Sequence, residues 1–342
     1  MRWGGSARRA RRGCGTMLAV RATRRALIRG AAALPLLSAA TRAQGFPSQP
    51  VRIIVPFPPG AADFLPRLIE PRLREVLGQP VVIENRDGAS GMIGAAYVAR
   101  AQPDGHTLLM TTPSSQITPL YLSRNMPYDP VRDFTPITAA AEAVTCLVVS
   151  VETSVRDAAG LVELARRSPG KLSYGSSGTG SVFHMTGEVL NEVAGLEMMH
   201  VPFRGTGPAM VALLGRQIDA LFCALVDARA HAEAGRVRIL AVLEGERFAA
   251  RPEIPTLAET VPGFRKPASW FGLFGPARLP EGVPARMHEA VVKVLAMPDM
   301  AARLSGNGIR VVGSPPGVFA AQLREGIAQY GEIIRAAGLR PE

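Results

Sequence analysis

A loop of small hydroxylated residues offers the clearest chemistry in this chain. Residues 176–181 read SSGTGS and directly precede a predicted helix, so four hydroxyls and two glycines lie beside the unpaired N–H groups of a helix start. This arrangement is a neutral, donor-rich cradle for a carboxylate or a carbonyl group. The loop 204–208 (RGTGP) repeats the pattern, and Arg204 could pair with an anion. The alternatives are an ordinary helix cap and a solvated surface arginine.

A second candidate binding loop follows the first predicted strand, 51–55 (VRIIV). The prolines of PFPPG (56–60) cannot donate to a strand ladder, and Gly60 relaxes the backbone. Asp63 is then predicted to N-cap a helix whose apolar residues recur at i, i+3 and i+4. The unpaired N–H groups at such a helix start favour an anion without any catalytic side chain. A plain capping role for Asp63 is the alternative to direct ligand contact.

Two further residues are candidates because of where they lie along the chain. Ser114 follows the predicted strand 107–111, at a carboxyl end where open α/β sheets place ligands. His184 lies one turn into the helix that follows the 176–181 loop. A core or capping histidine is the alternative to a ligand contact at that position.

Three stretches resemble catalytic or cofactor-binding motifs, but each lacks a glycine that the motif requires. GSSGT (175–179) lacks the final glycine of the G-x-S-x-G nucleophile elbow. Two Gly-x-Gly stretches lack the third glycine of a dinucleotide fingerprint, because Phe183 and Met210 stand at that position. No G-x-x-x-x-G-K-[ST] motif occurs, and the five histidines have no metal-ligand spacing. The sequence therefore predicts no cofactor and no metal, and an enzyme is the minority interpretation.

The net charge of +11 is concentrated in residues 1–43, which carry ten arginines and no acidic residue. Removing those ten leaves 29 basic against 28 acidic residues, so the rest of the chain is nearly neutral. Nucleic-acid binding is therefore not expected, because its electrostatic footprint must lie on the folded domain.

The same N-terminal segment has the parts of an export signal. An Arg-rich start is followed by the apolar run 31–40 and by a cleavage site of the small-residue type at 41–43. Cleavage near Ala43 would release the remainder into the periplasm. The arginine pair at 24–25 resembles a twin-arginine signal, with ordinary arginines of an export signal as the alternative.

Predicted strands and helices alternate over most of the remaining chain, which is typical of an α/β protein with a parallel sheet. A chain of this length exceeds the size at which one core usually stops growing, so two lobes are expected. No Gly/Ser/Pro linker separates two halves, which indicates that the chain crosses between the lobes more than once, near 145–150 and near 269–274. Cys146 and Cys223 are expected to be buried free thiols, with a disulfide as the alternative.

Ordered segments over nearly all of the chain after residue 43 resemble the Bug family, the extracytoplasmic solute-binding receptors of tripartite tricarboxylate transporters. The segments that carry the resemblance are PVRIIVPFPPG (50–60), GQPVVIENRDGASGMIGA (78–95), PDGHTLLM (103–110), PYDPVRDFTPIT (127–138), SPGKLSYGSSGTGS (168–181), HVPFRGTGPAMVALLGRQIDALF (200–222), PTLAE (255–259) and SWFGLFGPA (269–277). So many ordered segments are a specific signal.

The resemblance implies a type II periplasmic-binding fold, with two lobes that close on a ligand cleft like a Venus flytrap. Lobe 1 is expected to comprise 44–147 and 266–342, and lobe 2 to comprise 148–265. The resemblance also implies a monomeric receptor that binds a small carboxylate and delivers it to a two-subunit membrane permease. The expected ligand contacts are Phe57, Gly60, Ala61, Asp63, Ser114, Ser177, Gly178, Thr179, Ser181, His184, Arg204 and Thr206.

Two departures from the family pattern bear on the site. The stretch 60–63 (GAAD) is one residue shorter than is usual in the family, which leaves open whether Asp63 touches the ligand. Cys223 and Ala224 stand where the family often has an Asp-Asn pair, which predicts a less polar distal pocket. A receptor that signals to a membrane partner, and less readily a periplasmic enzyme on the same fold, are the alternative functions.

Overall fold

The computed structural model describes residues 45–59 and 61–341, which form two mixed β-sheets flanked by helices. The export signal predicted over residues 1–43, with its cleavage near Ala43, lies outside the described residues. The described strands are β1 Val51–Val55, β2 Val81–Asn85, β3 Thr107–Thr111, β4 Phe134–Ala143, β5 Thr145–Ser150, β6 Ser173–Ser176, β7 Met199–Pro202, β8 Ala220–Ala224, β9 Val237–Val242, β10 Trp270–Pro276 and β11 Ile309–Val311.

The strand order is β11-β4-β10-β3-β1-β2 in the six-stranded sheet and β7-β6-β8-β5-β9 in the five-stranded sheet. Strands β3-β1-β2 and β7-β6-β8 are parallel, whereas β4, β5, β9, β10 and β11 make antiparallel pairs. The predicted α/β fold with two lobes is confirmed, and each sheet combines the expected parallel strands with antiparallel ones. Strands β4 and β5 belong to different sheets and are separated only by Val144. A connection this short holds no crossover helix, which a parallel pair would need.

The helices pack on both sheets. They are α1 Ala61–Leu77, α2 Met92–Ala99, α3 Pro113–Gln116, α4 Pro119–Leu122, α5 Ala158–Arg167, α6 Val182–Ala194, α7 Thr206–Leu214, α8 Leu225–Glu233, α9 Leu257–Thr260, α10 Val283–Leu295, α11 Pro298–Gly306 and α12 Pro316–Ala336. In the part of the chain that the structure describes, none of them is long and apolar enough to cross a bilayer.

Helix α1 illustrates how the apolar pattern sets the packing. Leu65, Ile69 and Leu73 are fully buried and share a core cluster with Ile53 and Val55 of β1. Burying each of these side chains stabilises the fold by about 2 kcal/mol relative to exposure. This packing fixes the start of α1 beside the carboxyl end of β1.

The chain passes between the two sheets at Val144 and again between β9 and β10. A buried ion pair joins the two crossings, because Lys266 Nζ lies 2.7 Å from Glu244 Oε1 and that oxygen also accepts the N–H of Thr145 at 3.0 Å. The Glu244 and Lys266 side chains are only 7% and 9% exposed. The predicted lobe boundaries stay a prediction, although β5 already belongs to the five-stranded sheet from Thr145 onward.

Cys146 and Cys223 lie opposite each other on β5 and β8, with their Sγ atoms 3.9 Å apart. Both thiols are free and buried, as predicted. The hydrogen bond with Cys223, together with burial, raises the pKa of the Cys146 thiol well above its usual range. The two cysteines thus act as small core residues beneath the site described next.

Candidate ligand-binding cleft

A cavity of about 890 Å³ lies where strand ends from both sheets meet. Loops that follow β1, β2 and β3 line one side, and loops that follow β6, β7 and β8 line the other. These loops leave the carboxyl ends of the parallel strands, which is where open α/β sheets bind ligands. The volume suits a small molecule, since such sites usually measure about 300–1,000 Å³.

The six-stranded sheet supplies the first wall of the cleft. Phe57 follows β1, and Ala62 lies in the first turn of α1. Ser90 and Met92 follow β2, and Ser114 follows β3 in the short helix α3. This wall therefore presents several hydroxyls, those of Ser90 and Ser114 among them, between apolar side chains.

Gly91 allows the loop after β2 to reach this wall. Its φ is 90°, and a Cβ atom there would lie 2.8 Å from the Cβ of Ser115 and 3.2 Å from Cε1 of Phe57. A larger residue would push the loops after β1, β2 and β3 apart, so the close approach requires glycine.

The loop 177–181 forms the opposite wall, and all its residues line the cavity. Ser181 caps α6, because its Oγ accepts the N–H of His184 at 3.3 Å. The first turn of a helix has further N–H groups without intrahelical acceptors, and Val182 and Phe183 at this turn line the cavity. Ser177 and Thr179 contribute hydroxyls to the same side.

Two stacked histidines hold this loop in place. The rings of His184 and His200 stack with their centroids 3.7 Å apart. The N–H of Gly180 donates to Nδ1 of His184 at 3.0 Å, and Oγ of Ser176 lies 2.7 Å from Nε2 of His200. Burial, followed by repulsion from His184, lowers the pKa of His200 to about 4. His200 is therefore neutral near pH 7, and its hydrogen bond with Ser176 joins two neutral groups.

Thr206 and Asp227 complete this wall, in the first turns of α7 and α8. Gly205 precedes α7 with φ 103°, a left-handed value that suits glycine. The Asp227 carboxyl interacts with the Thr206 side chain and with the backbone of Ala224. Burial nevertheless raises the pKa of Asp227, and its Oδ2 is buried without a hydrogen-bond partner among the described residues.

The cleft carries little charge for a site that faces small solutes. Among the described lining residues, the charged side chains are Asp227 and the exposed Arg340, which follows α12. Met92, Phe183 and Phe271 add apolar surface. The described part of the chain holds no group of His, Cys, Asp and Glu residues that could bind a metal. The described lining therefore consists mainly of hydroxyls, backbone groups and apolar side chains, with Asp227 as a single carboxyl among them.

Most of the predicted contacts come together at this cleft. The predicted residues that line it are Phe57, Ser114, Ser177, Gly178, Thr179, Ser181 and Thr206. Gly60 and the side chain of Ala61 lie outside the described residues. The three that do not line it are Asp63, His184 and Arg204.

Each of these three lies outside the cavity lining for a physical reason. Helix α1 begins two residues before Asp63, so Asp63 is a buried first-turn residue and not the N-cap, and it pairs with Arg67 at 2.6 Å. His184 is 2% exposed and lies behind the loop, where its Nδ1 accepts the N–H of Gly180. Arg204 is exposed and does not face the cavity.

The sequence reasoning missed Asp227, Thr145, Phe271 and Arg340 as lining residues. Asp227 lies just beyond the carboxyl end of β8, so the rule that located Ser114 would have found it. Thr145 and Phe271 belong to antiparallel strands, whose position needs the sheet order. Cys223 is buried behind the wall, and Asp227, one turn further on, adds a carboxyl to it. The expectation of a less polar distal pocket than is usual in the family stays a prediction.

Two sheets joined by two crossings, with strand ends that meet at one cleft, define a bilobal solute-binding protein. Residues 65–339 match the model of the tripartite tricarboxylate transporter family receptor. The chain belongs to this family, and the Bug resemblance is confirmed, since proteins named BugT and BugD are also similar to it. This is a family of periplasmic solute-binding receptors.

Similar proteins of known sequence or structure cover nearly the whole chain. A UPF0065 protein in the tcbD-tcbE intergenic region of Pseudomonas sp. (strain P51) is 37% identical, over 88% of this chain and 91% of that protein. R. palustris Rpa4515 with adipate is 33% identical with a TM-score of 0.78, covering 87% of this chain and 100% of that one. MatC from Rhodopseudomonas palustris with bound malate is 32% identical with a TM-score of 0.73, covering 84% and 100%.

Proposed function

We propose that this chain is an exported periplasmic receptor that captures a small carboxylate in its cleft and delivers it to a two-subunit membrane permease. The receptor binds its ligand without chemical change and works as a monomer. Its export signal is removed near Ala43. Adipate and malate in two similar structures support a carboxylate ligand for this chain as well.

One observation carries the proposal, namely that helix starts from both lobes converge on a single cavity. Residues in the first turns of α1, α2, α6 and α7 line it. Each helix start carries a partial positive charge and N–H groups without intrahelical acceptors. An anion held between them gains charge-assisted hydrogen bonds without a buried salt bridge.

The hydroxyls fit the same interpretation. Ser177 and Thr179 line the cavity from one lobe and Ser114 from the other, so a bound acid would contact both lobes. A ligand that contacts both lobes binds the closed form more tightly than the open form, and this difference drives closure. The permease would then distinguish the closed, loaded receptor from the open one.

Thermal unfolding of residues 44–342 tests the proposal. The protein is heated alone and with mono-, di- and tricarboxylic acids, amino acids and aromatic acids. A ligand at a thousand times its Kd adds about 4 kcal/mol to the free energy of unfolding, which raises Tm by several degrees. We expect such a shift from at least one acid, with the acid recovered unchanged.

The controls separate binding from catalysis and from a trapped ligand. Mass spectrometry of the denatured starting protein detects any acid that was carried through purification. A protein that is free of ligand and shifted by no acid would contradict the proposal. Consumption of the acid during incubation would favour an enzyme.

A further inference from the structure

We propose that Asp227 is a specificity-determining residue of the cleft. It selects carboxylates that also carry a hydrogen-bond donor, an amino or hydroxyl group, over plain dicarboxylates of the same length. This inference rests on the proposed carboxylate-receptor function.

The first argument is the position of Asp227. It lies in the first turn of α8, directly after β8, and lines the same cavity as Thr206 and Ala224. Its wall is therefore continuous with the start of α7, where the loop 204–208 was predicted to bind an anion. A ligand that fills this cavity lies against Asp227.

The second argument is that Asp227 lacks a full set of protein partners. Its interactions with Thr206 and with the backbone of Ala224 leave Oδ2 buried without a hydrogen-bond partner among the described residues. A buried acceptor without a donor destabilises the protein. Apart from the exposed Arg340, no lysine or arginine lines the described cavity, so the lining offers the Asp227 carboxyl no buried cation, and the ammonium or hydroxyl group of a ligand would be its donor there.

The third argument is the charge of the ligand. An ionised Asp227 repels a second carboxylate in the same cavity, whereas it attracts an ammonium group and accepts a hydrogen bond from a hydroxyl. A carboxyl near a helix start also stabilises the helix, and this explains the interaction with Ala224. That structural role leaves the buried Oδ2 unexplained.

The test compares matched acids on the wild-type protein and on Asp227→Asn. The probes are δ-aminovalerate, δ-hydroxyvalerate, valerate and glutarate, with the homologous set ε-aminocaproate, ε-hydroxycaproate, caproate and adipate, each titrated by calorimetry. We expect the amino or the hydroxy acid to bind wild type at least about tenfold more tightly than its alkanoate and its diacid. Comparison of the amino acids with the hydroxy acids distinguishes an ammonium donor from a hydroxyl donor.

Asp227→Asn keeps the size of the side chain and removes its negative charge. It should lower the preference for the amino acid over the diacid by about tenfold or more, and a merely structural role would not move this ratio. Asp227→Ser is the second variant, in case the asparagine fails to fold. Equal ratios in wild type and variants, or tightest binding of the diacid by wild type, would overturn the inference and leave the receptor function standing. If none of the acids used here or in the unfolding panel binds, the receptor function fails and the inference fails with it.

Discussion

The hydroxyl of Thr118 donates to the carbonyl of Gly180 at 2.9 Å, and this buried hydrogen bond connects the two walls of the cleft. Thr118 lies between α3 and α4, beside the six-stranded sheet, whereas Gly180 belongs to the loop after β6. The same loop is held from behind by His184, which accepts the N–H of Gly180. Gly180 is thus held by hydrogen bonds at both its N–H and its carbonyl group.

Thr118→Val should weaken the closed form. Valine keeps the shape of threonine but leaves the Gly180 carbonyl without its buried donor, which costs about 1 kcal/mol or more. The dissociation rate of a bound acid should rise about fivefold. Stopped-flow measurement of ligand release checks this, with Thr118→Ser as the control that retains the hydroxyl. Equal release from all three proteins would show that this bond plays no part in closure.

Gly180→Ala should weaken ligand binding through a clash across the cleft. Gly180 has φ 75°, and an added Cβ would lie 2.4 Å from Cγ2 of Thr118. We expect affinity to fall by at least about tenfold, because closure would separate the two walls. The double variant Gly180→Ala with Thr118→Ser removes Cγ2 and should recover part of the affinity. If Thr118→Ser gives no recovery, the loss comes from the backbone conformation and not from the clash.

Lys266→Met should lower the free energy of unfolding by about 3 kcal/mol, because it leaves the buried Glu244 without its cation. Urea unfolding provides the measurement. Arg310→Gln is the control, since Arg310 binds Glu142 at 2.7 Å but is 54% exposed, and its loss should cost below about 1 kcal/mol. Adding Glu244→Gln to Lys266→Met should restore part of the stability. Equal effects of Lys266→Met and Arg310→Gln would contradict a structural role for the buried pair.

His200 should make stability depend on pH in mildly acidic solution. Its pKa falls from 6.5 to about 4 on folding, first because of burial and then because of His184. Between these values the unfolded chain binds a proton at this site that the folded chain does not, so the free energy of unfolding decreases as pH falls from 6.5 towards 4. Because the ring is partly exposed, we expect a loss of about 1–2 kcal/mol. Urea unfolding of wild type and His200→Gln across this range checks the slope, and identical slopes would contradict the assignment.

The sequence predicted the strands and loops whose signals are local. Residue types alone indicate the PFPPG turn after β1 and the SSGTGS loop after β6, and Phe57, Ser177 and Thr179, three of the expected ligand contacts, line the cleft. Strand ends followed by helix starts are visible in a single sequence, because turn residues and apolar periodicity mark both.

The residues that the sequence could not assign depend on tertiary contacts. A histidine one turn into a helix can either contact a ligand or support the preceding loop, and the sequence does not distinguish the two. In the structure His184 stacks on His200 and accepts the N–H of Gly180, so it supports the loop. Thr145 reaches the cleft because β5 runs antiparallel beside β8, which local patterns do not indicate. Arg340 lines the cleft because the chain after α12 returns to it.

The central claim is that a carboxylate binds between the start of α6 and the facing lobe, and Thr179→Arg tests it most directly. Thr179 is exposed on the cavity wall, so arginine there fills the cradle while the core is unchanged. Gln217→Arg adds the same charge at an exposed position of the same lobe outside the cavity, and it serves as the matched control. Calorimetric titration with the acid that raises Tm most should give wild-type affinity for Gln217→Arg and a loss of about a hundredfold or more for Thr179→Arg, with both variants unfolding near the wild-type temperature. Wild-type affinity in Thr179→Arg would contradict the account.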